Sequence, residues 1–351
     1  MKILVIQQKM IGDVLTTSAL FEVLKKELPS SELHYVINSN TEAVVTNNPT
    51  IDRLLIFTPE MEKSKARFFS FLKSVKNEKY DVVIDVYGKL GSNLICKFSR
   101  AKKRIGYYKN YTSFVYTHNI KRLKKPEHQA SLAIENRMKL LESLNIEFQN
   151  IQPKIYLTKD EISDAQMTLK ENEIDLKKPL YMISVLGSNP KKTYTPQYMA
   201  KLLDKMVIEQ PEAQILFNYI PNQSKEAQEI LDACSTVTQK QIYFSLYGKN
   251  LREFLALTSQ CHALIGNEGG AVNMAKALGI PTFIIFSPSL NKANWFGETE
   301  NDQNVAVHLS DYIPYESSDK EKAKRDPTSY YLKFKPTFIE PKLISFLRNV
   351  R

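Results

Sequence analysis

Short apolar runs alternate with amphipathic stretches along the whole chain. In the first half, Lys2–Gln7, Glu32–Asn38, Arg53–Phe57, Asp81–Val86 and Lys103–Tyr108 are rich in Val, Ile and Leu and too short for helices, which predicts five strands. Between the first two, Leu15, Leu20, Val23 and Leu24 share one face of a helix predicted over Asp13–Leu28, and Leu132–Leu144 has the same helical period. The stretch Asn145–Lys178 is polar and interrupts the alternation with Gln152-Pro153, a charged helical piece over Lys159–Asn172, and Lys177-Lys178 before Pro179. The pattern then restarts. Strands are predicted at Tyr181–Leu186, Ala213–Tyr219, Gln241–Ser245, Ala263–Gly266 and Thr282–Phe286. Helices are predicted at Pro196–Glu209, Ser224–Cys234, Leu251–Cys261 and Gly270–Leu278. A polar, Tyr-rich tail over Tyr312–Thr337 precedes a last helix, Phe338–Val350.

Alternating strands and helices of this size imply an α/β fold with parallel sheets covered on both faces. Two rounds of the pattern predict two Rossmann-like, doubly wound domains, residues 1–155 and 156–337, facing a central cleft. Such sheets take ligands beyond the carboxyl ends of their strands. At 351 residues and 43% hydrophobic the chain can build both cores, and global disorder is excluded. Three widely spaced cysteines, Cys96, Cys234 and Cys261, form no disulfide framework or CxxC pair, and the five histidines show no zinc spacing. The N-terminus reads as a strand rather than a signal peptide, and no run approaches 18 apolar residues, so a cytoplasmic protein is expected.

Charge changes this picture in one respect. The net charge is +10, and residues 1–150 hold 24 basic against 15 acidic residues, so nearly all the excess belongs to the first half. It is densest at Lys97, Arg100, Lys102, Lys103, Arg104 and Lys109, then at Lys121, Arg122, Lys124 and Lys125. Such a field either solvates the surface or draws phosphates, nucleic acid or an anionic membrane face. Tyr107, Tyr108, Tyr111, Phe114 and Tyr116 follow the first basic run, but no recognition helix or RNA-binding signature accompanies them, and nucleic acid is not the expected partner.

Three segments carry candidate chemistry. Gly12-Asp13 follows the first strand, where the glycine allows a tight turn and the carboxylate either caps a helix or serves as a general base. Gly266-Asn267-Glu268-Gly269-Gly270 opens a helix after a strand. It is either an ordinary glycine turn or a ring of free amides suited to a diphosphate, with Glu268 beside it for sugar hydroxyls. Ser188 to Tyr194 follows the first strand of the second half. It is either a solvated loop or a source of hydroxyls and of Lys192 for a leaving phosphate. Neither GxGxxG nor a P-loop is present, and no DxD pair points to a metal-dependent sugar-nucleotide site.

Taken in order, these segments resemble glycosyltransferase family 9, which contains the ADP-heptose:lipopolysaccharide heptosyltransferases. Gly12-Asp13-Val14-Leu15 with Phe21–Pro29 is similar to its opening, and Arg104-Ile105-Gly106-Tyr107 to its basic Gly-aromatic segment. Lys192-Thr193-Tyr194 is similar to its Lys-x-Trp element, and Leu246-Tyr247-Gly248-Lys249 to its turn before a helix. Asn267 to Gly270, continuing through Ala275–Pro281, is similar to its C-terminal signature, although Glu268-Gly269-Gly270 and Asn273 stand where the family reads Asp-Thr-Gly and a histidine.

The resemblance implies a GT-B architecture with the acceptor in the N-terminal domain and the nucleotide-sugar donor in the C-terminal one. It also implies that helix 338–350 can pack back onto the N-terminal domain. The implied reaction is an inverting, metal-independent transfer needing no cofactor, heptose passing from ADP-heptose to a lipopolysaccharide core or related lipid-linked glycan. Asp13 is the implied general base. The donor falls to Ser188, Lys192, Asn267, Glu268, Gly269 and Gly270, with Gln223 where a ribose-contacting acid is usual. The acceptor falls to Gly12, Lys102, Lys103 and Arg104. An anionic lipid-linked acceptor places the enzyme at the cytoplasmic face of the inner membrane. The alternatives are a non-catalytic nucleotide-sugar or glycan-binding protein on the same scaffold and a GT-B-like epimerase.

Overall fold

The computed structural model of the chain describes residues 1–297 and 303–350. These divide into two compact units. The first holds Met1–Tyr156 and a short later segment containing Trp295; the second holds Leu157–Lys292 and the described residues beyond 302. The second half of the sequence is therefore not continuous in space, because the segment around Trp295 returns to the first unit.

The first unit is built on six parallel strands, β1 (Lys2–Ile6), β2 (Glu32–Asn38), β3 (Arg53–Phe57), β4 (Val82–Asp85), β5 (Lys103–Tyr107) and β6 (His118–Ile120), in the order β3-β2-β1-β4-β5-β6. The order reverses between β1 and β4, where Ile3 pairs with Val82 and Ile6 with Asp85. Residues Ile3 to Ile6 are fully buried, as a strand covered on both faces requires. The helix Ile11–Glu27 follows β1, and its buried face includes Leu15, Leu20, Val23 and Leu24, with Lys25 and Lys26 placed favourably in its last turn. The turn before it differs from expectation. Gly12 lies within the first helical turn, and it is Met10, at φ 66°, that takes the positive φ expected of a glycine there.

The second unit has five parallel strands, β7 (Leu180–Ser184), β8 (Gln214–Phe217), β9 (Ala263–Asn267), β10 (Thr282–Ile285) and β11 (Asn304–Val307), in the order β11-β10-β9-β7-β8. Its reversal lies between β7 and β9, where Ser184 pairs with Gly266. The strand expected at Gln241–Ser245 is reduced to a single bridge from Ile242 to Ile215 at the sheet edge. The Tyr-rich tail is helical over Ser317–Arg325 and Pro327–Lys333, and buries Tyr330 and Tyr331 in this unit's core. The last helix, Pro336–Asn349, also belongs here rather than to the first unit. Its Ile339, Leu343, Phe346 and Leu347 enter the same core, Phe346 packs on Phe283, and Gln210 donates to the Leu347 carbonyl at 3.1 Å. Its apolar face is thus spent on its own unit. Among the described residues no helix is long and apolar enough to cross a membrane.

One buried group in the first unit makes a pH prediction. Asp85 ends β4 completely buried, and burial pushes its carboxyl up to about 6 against the opposing pull of the Gly88 N–H, Tyr116 and Ser92. The Tyr116 hydroxyl lies 2.8 Å from Asp85 Oδ2 and 2.7 Å from Asn93 Oδ1, one proton between two acceptors. A protonated Asp85 resolves this conflict by donating to Tyr116, which then donates to Asn93. Between the ordinary carboxyl range and about 6 the folded state holds a proton that the unfolded chain releases. Stability therefore falls as pH rises through that window, by on the order of 3 kcal/mol, and stays lower above it. Asp85→Asn supplies the missing donor at every pH. The variant is expected to lose this slope in melting experiments from pH 4 to 8 and to exceed the parent's stability at pH 8; an unchanged slope refutes the assignment.

Candidate active site

In the first unit, the carboxyl ends of β1, β4 and β5 open onto a cavity of about 580 Å³ at the β1/β4 reversal, lined by Asp13, Lys9, Lys89, Arg122, Arg137 and Trp295 among others. Asp13 sits in the first turn of the helix Ile11–Glu27 and caps no backbone N–H. Its Oδ1 instead accepts from Arg137 Nη2 at 2.7 Å. Arg137 is buried on the helix Leu132–Lys139 and is fixed by three further acceptors, Thr17 Oγ1, the Ala133 carbonyl and the Asp13 carbonyl. That fork aims the carboxylate and leaves Oδ2 without a protein partner among the described residues.

The other cations are held less tightly. The Arg122 guanidinium lies 3.8 Å from the centre of the Tyr107 ring, a cation–π stack, and the Tyr107 hydroxyl is anchored on the Asn136 carbonyl. Lys9 pairs with Glu62, whose hydrogen bond raises the Lys9 ammonium above its usual range. Neither Lys89 nor Arg122 has an acidic partner among the described residues. One carboxylate among four cations suits a ligand that is itself anionic.

The basic residues expected beside Asp13 are elsewhere. Lys102, Lys103 and Arg104 stand at the start of β5, and β5 runs parallel to β4 and so to β1. Their end of the sheet is therefore opposite the one where Asp13 follows β1. Lys103 donates to the Ser143 carbonyl, Arg104 to the carbonyls of Val115 and Ala101, and Lys102 lines a separate depression with Lys76 and Arg100. Gly12 is a helical residue whose carbonyl accepts from Thr16. Lys9 and Lys89 have no part in the expectations from sequence, and Arg122 figures there only within a basic run, although all three follow strands, β1, β4 and β6, where the carboxyl-end rule places ligand contacts. Arg137 and Trp295 leave no linear signal, the one lying on an amphipathic helix and the other far along the chain.

In the second unit, the loop after β7 and the turn after β9 meet at the β7/β9 reversal. Asn267 is fully buried; its Oδ1 accepts from the Tyr194 N–H at 2.7 Å, and its Nδ2 donates to the carbonyls of Ser184 and Val185 at 3.0 and 2.8 Å. Asn267 therefore braces the site with a side-chain amide that is wholly buried and turned onto the backbone. Glu268 is nearly buried, and burial raises its carboxyl while Lys192, 3.7 Å away, opposes the rise. Its Oε1 is a buried acceptor with no hydrogen-bond donor among the described residues. Gly269 precedes the helix Gly270–Ala277, whose first N–H groups have no partners within the helix. Among the described residues no atom lies within 4 Å of where a side chain on Gly269 would begin. Ser188 is exposed on the β7 loop with no protein partner for its hydroxyl among the described residues. Gln223 follows β8 and turns its Oε1 back to the Ile220 N–H of its own turn, so no described hydrogen bond joins it to Lys192 or Glu268.

The arrangement has counterparts among known proteins. The model of glycosyltransferase family 9 (heptosyltransferase) matches residues 68–324. Lipopolysaccharide heptosyltransferase 1 of Campylobacter coli is 23% identical over 303 residues, covering 84% of this chain and 86% of that protein. The crystal structure of a family 9 glycosyltransferase from Veillonella parvula DSM 2008 superposes with a TM-score of 0.81 at 19% identity, covering 98% of this chain and 97% of that one. The E. coli ADP-heptose lps heptosyltransferase II superposes with a TM-score of 0.73 at 16% identity over 99% of each chain. Two parallel-sheet units of this topology are the halves of a GT-B fold, and with the family model spanning most of the sequence, the chain belongs to glycosyltransferase family 9 and is a glycosyltransferase.

Proposed function

We propose that the enzyme moves heptose from ADP-heptose onto a lipopolysaccharide core, or a related lipid-linked envelope glycan, in one inverting, metal-independent step at the cytoplasmic face of the inner membrane. The acceptor hydroxyl oxygen attacks the anomeric carbon as the bond from that carbon to the diphosphate oxygen breaks. The hydroxyl proton passes to Asp13 Oδ2, and the bonding electrons leave with ADP. Lys192 and the amides opening the helix Gly270–Ala277 take up the charge on the departing diphosphate, and the Glu268 carboxylate accepts from donor hydroxyls. Lys89 and Arg122 suit phosphate or acidic groups on the acceptor.

The observation that carries this reading is Asp13, held through one oxygen by Arg137 with the other oxygen unengaged, in a cavity otherwise lined by cations. The donor and acceptor classes follow the names of the relatives, lipopolysaccharide heptosyltransferase 1 and ADP-heptose lps heptosyltransferase II. The test is a thermal-shift series with ADP, ADP-heptose and uridine counterparts, followed by mass analysis of a core acceptor. A ligand at a hundred times its Kd stabilises by about 2.7 kcal/mol. ADP-heptose should raise the melting temperature where the uridine compounds do not, and the acceptor should gain one heptose. A uridine preference overturns the donor; binding without product turns the reading to a non-catalytic glycan-binding protein.

A further inference from the structure

The strongest unassigned feature is an apolar and wholly basic face on the first unit. The helices Lys65–Asn77 and Leu90–Phe98 and the 3-10 turn Asn110–Val115 cover one side of its sheet, burying Phe71, Leu72, Val75, Ile95, Cys96 and Val115 in a common core. Large apolar side chains stand among their outward residues, between lysines, arginines and small polar groups. Phe69, Leu90, Tyr111 and Phe114 are between 60% and 77% exposed, and Phe98 meets Phe69 edge to face. Leu90, Leu94 and Phe98 recur every four residues along one stripe of their helix.

The same elements carry no carboxylate. From Val86 to Pro126 the sequence has 11 basic residues and no acidic one, and Lys63 to Asn77 has five and none. The acids flanking the second of these runs are engaged, Glu62 with Lys9 and Glu78 with Lys2 and Arg53.

We infer that this face docks the enzyme on an anionic lipid bilayer, with Phe69, Leu90, Phe98, Tyr111 and Phe114 entering the headgroup boundary and the surrounding lysines holding lipid phosphates. The inference rests on the proposed lipid-linked acceptor and adds the surface that meets its membrane. Apolar side chains ringed by cations gain from both contributions at such a boundary, apolar burial and attraction to anionic headgroups. Protein interfaces deplete lysine at their centre, which argues against a second copy here. Single-stranded nucleic acid is held by flat aromatic platforms, whereas this face presents the aliphatic Leu90 and an edge-on ring pair. The face also adjoins the cavity, because Lys89 lines the cavity and Leu90 is the next residue. A glycan headgroup at Asp13 can thus stay joined to a lipid that has not left the bilayer.

The test is sedimentation of the full chain with phosphatidylcholine vesicles, with or without one-third phosphatidylglycerol. The anionic vesicles should bind it at least about tenfold more strongly, and added salt should weaken the binding. The triple variant Phe69→Ser, Leu90→Ser and Phe114→Ser alters exposed positions only. It should melt like the parent and keep its donor thermal shift, yet lose vesicle binding by about tenfold or more. The control Ile208→Ser with Val237→Ser, exposed on the second unit, should bind vesicles as the parent does. Equal binding to both vesicle types, a triple variant that binds normally, dimerisation through this face, or displacement of vesicles by RNA each overturns the inference. The vesicles contain neither donor nor acceptor, so a failure here leaves the Asp13 assignment standing.

Discussion

Asp13→Asn is expected to lower kcat by about a thousandfold while leaving donor binding intact, since a positioned general base contributes roughly 10²- to 10⁴-fold. The substitution is nearly isosteric. The amide keeps an oxygen for Arg137 Nη2, so the fork across Thr17, Ala133 and the backbone carbonyl of position 13 survives. What disappears is the basic oxygen that takes the proton. The variant leaves the buried Arg137 without its counter-charge, and because Asp13 is only half-buried that costs about 1–2 kcal/mol, less than a fully buried pair would. A lowered melting temperature with an unchanged ADP-heptose shift separates this loss from unfolding. Arg137→Lys extends the argument. Lysine keeps the charge but not the planar fork, so kcat should fall by about tenfold or more with KM little changed, because the acid is present and misaimed. An Asp13→Asn enzyme turning over within tenfold of the parent removes Asp13 from the chemistry.

The two α/β rounds were legible because each buried strand is apolar on both faces, so β1, β2 and β7 announce themselves without any knowledge of their partners. Strand order was not. It depends on which strands pair across long separations, and that order puts the reversals at β1/β4 and β7/β9, hence the sites. The misplaced basic residues show the consequence. Lys102 to Arg104 are the densest positive run beside a strand, yet a parallel strand has two ends, and they occupy the one away from Asp13. Polar or very short edge strands were missed for a different reason. His118–Ile120 and Asn304–Val307 are three and four residues long, too few for a period to emerge. At the turn after β9 the structure gives one residue a different part from the expected one. Asn267 looked like a ligand contact, and only its three buried hydrogen bonds reveal a brace.

Gly266 and Gly269 look alike in sequence and should respond in opposite ways to alanine. Gly266 is the penultimate residue of β9, at φ 130°, and a methyl group there would sit 2.4 Å from the Ser184 carbonyl oxygen and 3.2 Å from the Ser184 nitrogen. Both are backbone atoms of β7, so relief requires β7 and β9 to part where Asn267 joins Ser184, Val185 and Tyr194. Strained backbone, overpacking and a broken buried network act together, and Gly266→Ala should cost on the order of 3–5 kcal/mol. In a domain of this size that lowers the melting temperature by roughly 10 °C, and the donor shift should vanish with it. At Gly269 the φ of 157° is unfavourable for alanine, at about 1–2 kcal/mol, but the methyl meets no atom of the described residues within 4 Å. It instead projects into the open side of the turn, where a diphosphate must approach the amides of the helix Gly270–Ala277. Gly269→Ala should therefore melt within a few degrees of the parent and bind ADP-heptose at least about tenfold more weakly. Parental affinity in that variant would mean the diphosphate does not lie on this turn, and the open space beside Gly269 would then serve the backbone alone.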